Sequence, residues 1–196
     1  MLFTFKGYTY KNVNNTDASA NYDVIMVVLN GKNEQPIEAM TVGTEIQAEH
    51  LCFDNNVDAI CAGNQTIHPT YASSGVASQF SNSAFVKDIK KDGVLEYAFT
   101  VESDCTVNLV VCAVSTSTNT VDMSKIFEIY IGEEKQTYSD STIAAKPSDS
   151  WTPSETVVVK NIQLKAGVTY VLTFKSITTG TNESVFYDYI KFVLAS

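Results

Sequence analysis

The chain has 196 residues, 44% of them hydrophobic and 18% charged, a balance that suits one sizeable folded domain and is too apolar for a disordered segment. Its formal charge is −9 and all thirteen basic residues are lysines. Without arginine there is no planar fork for phosphate or guanine, and no basic cluster takes its place, so nucleic acid is not an expected partner. No run approaches the roughly 18 apolar residues that span a bilayer, so no membrane span is expected.

The chain opens MLFTFKGYTY, with one lysine after its short apolar run and no small-residue cleavage site, which does not read as a signal peptide. Either a leader was removed or the protein reaches its destination without Sec export. Strand-like runs at 2–10 and 24–29 follow, joined by asparagine-rich turns with Asn30 and Gly31 as a strong turn signal. This segment, residues 1–43, is expected to form an arm or small hairpin that packs on the main domain or projects from it, where it could meet an assembly partner.

Beyond residue 44 the dominant pattern is period-two alternation, with little support for a long amphipathic helix. Leu95, Tyr97, Phe99 and Val101 share one strand face, and Val107, Leu109 and Val111 share another. Phe127, Ile129 and Ile131 repeat the pattern before a turn at Gly132. Val157 and Val159 lead through Ile162 and Leu164 to a turn at Lys165, Ala166 and Gly167; Val168, Tyr170, Leu172 and Phe174 line the next strand. The run STSTNT at 115–120 reads as an exposed loop. Such strands joined by Ser/Thr/Asn/Gly loops predict an all-β protein, an antiparallel β-sandwich of jelly-roll type preceded by the N-terminal β arm.

The four cysteines, Cys52, Cys61, Cys105 and Cys112, fit no structural zinc spacing, and His50 and His68 are not placed to complete one. Cys105 and Cys112 lie in or beside an apolar run, as small hydrophobes do. Cys52 and Cys61 could close a loop disulfide in an oxidising compartment or remain free thiols.

The closing strand, VFYDYIKFVL at 185–194, is the most informative stretch. Strict alternation sets Asp188 on one face with Phe186, Ile190, Phe192 and Leu194, and Tyr187, Tyr189 and Lys191 on the other. A carboxylate on an apolar face needs a cation or several donors. Either a hard metal ion such as calcium, backed by a second carboxylate, or backbone amides and lysine at the sandwich rim would serve.

Several motifs taken in order resemble carbohydrate-binding module families 6 and 35 over residues 44–196. EIQAE at 45–49 is similar to their opening strand, which typically reads IEAE, and YASSG at 71–75 is similar to their small-residue loop. GVLEYAFTV at 93–101, IFEIYIG at 126–132, Trp151 with LKAG at 164–167, and DYI at 188–190 follow in the family's order. The resemblance implies a structural calcium held by Glu49 and Asp188, with Gln47 standing where the family often has a glutamate. It also implies a sugar site in rim loops, with Trp151 as the stacking ring and Tyr71 or Phe80 as a second. Its polar partner would be an asparagine two residues before the aspartate, but that position is Phe186, and Asn182 is displaced. The same Trp151 could equally be an edge residue covering the core.

Catalysis finds little support: with two histidines and no Gly-x-Ser-x-Gly turn a serine triad is not expected, and neither HExxH nor a phosphate loop occurs. The expectation is therefore a non-catalytic, extracellular or cell-surface module binding a polysaccharide or surface glycan. The alternative is a structural or attachment protein on the same fold, such as a phage virion decoration or fibre protein.

Overall fold

The computed structural model describes residues 37–48, 51–53, 79–81, 85–86, 91–148, 150–178 and 185–196, with no side-chain account of 38, 52 and 53. The alternating segments form two packed sheets. One contains β1 (Glu38–Ala39), β3 (Cys52–Phe53), β4 (Val94–Thr100), β7 (Phe127–Ile131), β8 (Glu134–Lys135) and β11 (Tyr170–Ser176), in the order β1-β4-β11-β7-β8 with β3 also on β4. The other contains β2 (Ile46–Gln47), β5 (Cys105–Ser115), β10 (Ser154–Leu164) and β12 (Val185–Leu194), in the order β10-β5-β12-β2. A small ribbon of β6 (Val121–Asp122) and β9 (Thr142–Ile143) completes the strands. Neighbours pair antiparallel except β1, which runs parallel to β4 at Phe99 and Thr100. The expected all-β antiparallel sandwich is what the chain forms. Among the described residues no helix is long and apolar enough to cross a membrane.

Period two explains the core. Leu95, Tyr97 and Phe99 of β4, Phe127, Ile129 and Ile131 of β7, and Leu172 and Phe174 of β11 are buried in one cluster. They meet Val107, Leu109, Val111 and Ala113 of β5 and Ile190 and Phe192 of β12. Each fully buried aliphatic or aromatic side chain contributes roughly 1.5–3 kcal/mol by leaving water, so this face-to-face layer is what holds the sheets together. Phe99 touches both: its ring lies 5.5 Å from Tyr97 and 5.0 Å from Phe192. Gly132 (φ 60°) and Gly167 (φ 73°) take the left-handed backbone at the turns where the sequence places them.

The end of the N-terminal segment is part of this body. Met40 is buried in the main core and its N–H donates to the Thr100 carbonyl at 2.9 Å. Residues 1–36, which hold the strand-like runs at 2–10 and 24–29, lie outside the described residues.

Strict alternation fails at two bulges. In β10 the register shifts between Val157 and Val159 and again between Val159 and Ile162. Val158 and Val159 therefore reach the core while Val157 is only half-buried. In β12 the partners run Tyr187 with Ala113, then Tyr189 with Cys112, so two residues of β12 stand opposite one of β5. Asp188 is the extra residue. Before it, Val185 and Tyr187 face the core and Phe186 faces outward; after it, Ile190 and Phe192 face the core. Phe186 is therefore not on the face of Ile190 and Phe192, and Tyr187 is in the core. Val168, assigned to β11 by alternation, precedes the strand and is exposed.

Candidate functional site

The β12 bulge sets the site. It turns a carboxylate out of the ladder onto the outer side of the four-stranded sheet, where Asp188 is nevertheless only 2% exposed. Burying an ionised carboxylate is costly unless donors surround it. Ser81 supplies two: its N–H donates to Asp188 Oδ1 at 2.9 Å and its hydroxyl to the same oxygen at 2.5 Å. The Ser81 hydroxyl also lies 2.7 Å from Gln47 Oε1. Its single hydrogen serves one acceptor at a time, and the charged carboxylate is the stronger claimant. Cys112 Sγ stands 3.9 Å from Asp188 Oδ2. Burial pushes this thiol up to about 12, so it stays protonated and unreactive.

Further along the same face, Tyr189 donates its hydroxyl to Glu155 Oε1 at 2.6 Å, and Lys191 pairs with that oxygen. The Lys191 hydrogen bond, followed by that of Tyr189, holds Glu155 below the usual carboxylate range. Burial and the Glu155 acceptor push Tyr189 up.

Above Asp188 the outward face becomes aromatic. Phe80, Phe85, Val114 and Phe186 form a second buried cluster, separate from the core between the sheets, with Trp151 packed against it. Phe85 stacks on Phe186 at 4.4 Å between ring centroids, and Trp151 stacks on Phe186 at 4.9 Å, each pair with planes 21° apart. Phe80 leans on Phe85 at 4.6 Å. The other face of Trp151 carries the Lys146 ammonium, 4.0 Å from the ring centroid, a cation–π contact.

Backbone contacts fix this rim. Lys146 N–H donates to the Ser117 carbonyl at 2.8 Å, and Ser115 N–H to the Ala144 carbonyl at 2.9 Å. The 115–120 loop is largely exposed, as expected, and Asn119 N–H donates to Ser117 Oγ at 3.1 Å within it. Gln79 Oε1 accepts from Trp151 N–H at 2.6 Å and from Ser150 Oγ at 2.9 Å, and Ser150 is bonded in turn to Thr152.

Of the residues singled out from the sequence, the structure brings Gln47 and Asp188 together through Ser81 and sets Trp151 at the rim. Glu49, Tyr71 and Asn182 lie outside the described residues, as do His50, His68 and Cys61. Phe80 is buried, its ring packed among Phe85 and Phe186 beneath Trp151. Three residues escaped the sequence reading. Phe186 stood out only as the residue replacing an expected asparagine, but it is the floor beneath Trp151. Gln79 and Ser81 carried no signal at all.

Calcium takes six to eight oxygen ligands; of the three residues expected to hold it, Gln47 and Asp188 are described and Glu49 is not. The described residues at Asp188 offer one carboxylate, one amide oxygen and one hydroxyl, and two donor hydrogens of Ser81 already point at Asp188 Oδ1. No group of three or more His, Cys, Asp or Glu placed to hold a metal occurs among the described residues.

The chain matches no protein-family model and no curated protein. Among solved structures it is similar to a family 35 carbohydrate-binding module from Clostridium thermocellum, at 17% identity and TM-score 0.41, covering 59% of this chain and 82% of that one. It is also similar to a ruminal GH26 endo-beta-1,4-mannanase (13% identity, TM-score 0.48, 81% of this chain) and to a Bacillus subtilis family 43 arabinoxylan arabinofuranohydrolase (10% identity, TM-score 0.46, 94% of this chain). The chain spans 27% of the mannanase and 32% of the arabinofuranohydrolase.

Proposed function

We propose that this domain is a non-catalytic glycan-binding module whose contact ring is Trp151. The observation that carries the reading is the construction around that ring. An indole at the rim is backed by two stacked phenylalanines, Phe186 and Phe85, and the ammonium of Lys146 lies over its ring. A rigid, half-buried aromatic face is what the C–H side of a pyranose packs against, and a few polar groups beside it set orientation. Ser150, Thr152 and Gln79 supply such groups. They include neither carboxylate nor histidine, so the proposal assigns the site binding and no bond-breaking step. A glycan-facing role puts the domain outside the cell or on its surface.

The test is affinity electrophoresis and calorimetry against a panel of plant and microbial polysaccharides, with wild type and Trp151→Ala. Binding by the wild type, lost in a Trp151→Ala variant that still melts cooperatively, is the expected result. Binding that survives the substitution would move the site elsewhere. No binding across the panel would sink the glycan reading, and with it a lectin-like role for the rim.

A further inference from the structure

Residues 79–81 tie two parts of the chain that are far apart in sequence. At one end, Ser81 donates its N–H and hydroxyl to Asp188 at 2.9 and 2.5 Å, with Gln47 Oε1 2.7 Å from the same hydroxyl. At the other, Gln79 Oε1 accepts both the Trp151 N–H and the Ser150 hydroxyl. Between them, Phe80 is buried against Phe85. Three consecutive residues thus connect the closing strand, the opening strand and the tryptophan loop.

We infer that this segment is a strap that positions Trp151 from the carboxylate of Asp188, making Asp188, Ser81 and Gln79 positioning residues of the rim site. The physical case is that each end is anchored by a polar bond that water would otherwise take. A charge-assisted pair on Asp188 is the stronger anchor, and its partial burial keeps solvent from competing. The middle is fixed by the aromatic cluster, so a displacement at Ser81 cannot be absorbed by swinging Phe80 freely. It passes instead to Gln79, and so to the backbone of Trp151. The consequence for ligand binding rests on the reading of Trp151 as the contact ring; the mechanical coupling does not.

Trp151 is the only tryptophan, so its fluorescence reports the coupling directly. The strap predicts that Ser81→Ala and Asp188→Ala, at the end remote from Trp151, shift its emission to the red and raise its acrylamide quenching, as Gln79→Ala does at the near end. Ser81→Thr, which keeps the hydroxyl, should restore wild-type emission. Glycan affinity should fall roughly tenfold in Ser81→Ala, the equivalent of one net hydrogen bond. Should Asp188→Ala fail to fold, Ser81→Ala decides, because Ser81 is only partly buried and keeps its N–H. Unchanged emission and quenching in a folded Ser81→Ala protein overturns the strap, even where glycan binding persists. Conversely, a red shift in a protein that binds no glycan upholds the strap and removes only the ligand.

Discussion

Trp151 lies on Phe186, ring over ring at 4.9 Å with 21° between their planes, so the closing strand of the sandwich provides the floor of its rim. Phe186 is itself stacked on Phe85, and the three rings act as one unit. Phe186→Ala should therefore lower stability by about 3 kcal/mol, as truncations of buried phenylalanine do, and leave Trp151 unsupported. Urea unfolding and tryptophan emission check this together. A loss below about 1 kcal/mol with unchanged emission would show the stack to be idle.

Lys146 competes with any ring that stacks on the open face of Trp151. A cation over an indole at a partly exposed site is worth about 0.5–1 kcal/mol, so removing it should raise affinity for an uncharged polysaccharide about threefold. Calorimetry on Lys146→Ala measures this. Weaker binding in the variant would mean that the ammonium contacts the ligand and does not merely shield the ring.

The hydroxyl of Ser81 stands between Gln47 and Asp188, two of the three residues expected from the sequence to hold calcium; the third, Glu49, lies outside the described residues. With an amide at position 47, Asp188 is served by Ser81, and chelator should leave the wild-type melting temperature unchanged. Gln47→Glu brings a second carboxylate to the same hydroxyl. Like charges at this distance repel, so the variant should melt lower than wild type in chelator and recover when calcium is added, since calcium prefers clustered carboxylates. A wild-type protein that melts lower in chelator, with the effect gone in Asp188→Ala, would return calcium to the native site.

Among the described residues, Asp122 is a carboxylate whose bonds favour its ionised form. It accepts from the Ser124 hydroxyl at 2.7 Å, the Ser141 hydroxyl at 2.6 Å and the Ser124 N–H at 3.1 Å, with Lys125 nearby at 3.7 Å. These bonds, that of Ser124 first, bring its carboxyl from 3.8 down to about 2. A depressed folded-state value means that the ionised form favours folding. The contribution is present above pH 3.8 and is lost as pH falls through about 2. Asp122→Asn should be less stable near neutral pH yet show a shallower decline between those two values. Urea midpoints across the range test it, and parallel curves for the two proteins would discount the bonds.

Much of the fold was legible because strands buried on one face write their position as period two: Leu95, Tyr97 and Phe99, or Phe127, Ile129 and Ile131, needed no further information. The reading failed where one residue is inserted into a strand. Val157 and Phe186 each follow the pattern on paper and leave it in space, because alternation presumes an unbroken ladder. The site was less legible for another reason. Trp151 could be singled out as the only one of its kind, but its partners are a phenylalanine displaced by a bulge and the side chains of a loop 72 residues away. Loop contacts carry no periodicity, so nothing in the spacing of Gln79 or Ser81 announces them.

The bulge also separates folding from function in a way that can be tried at the bench. Take Asp188 out altogether, and Tyr187 opposite Ala113, Tyr189 opposite Cys112 and Ile190 opposite Val111 become consecutive rungs of a regular ladder. Inward and outward residues then alternate from one end of the strand to the other without moving a single core side chain. The shortened protein should still melt cooperatively, its sandwich intact and its carboxylate gone. Asp188 thus stands outside the alternation of its strand, and the core layer between the two sheets closes without it.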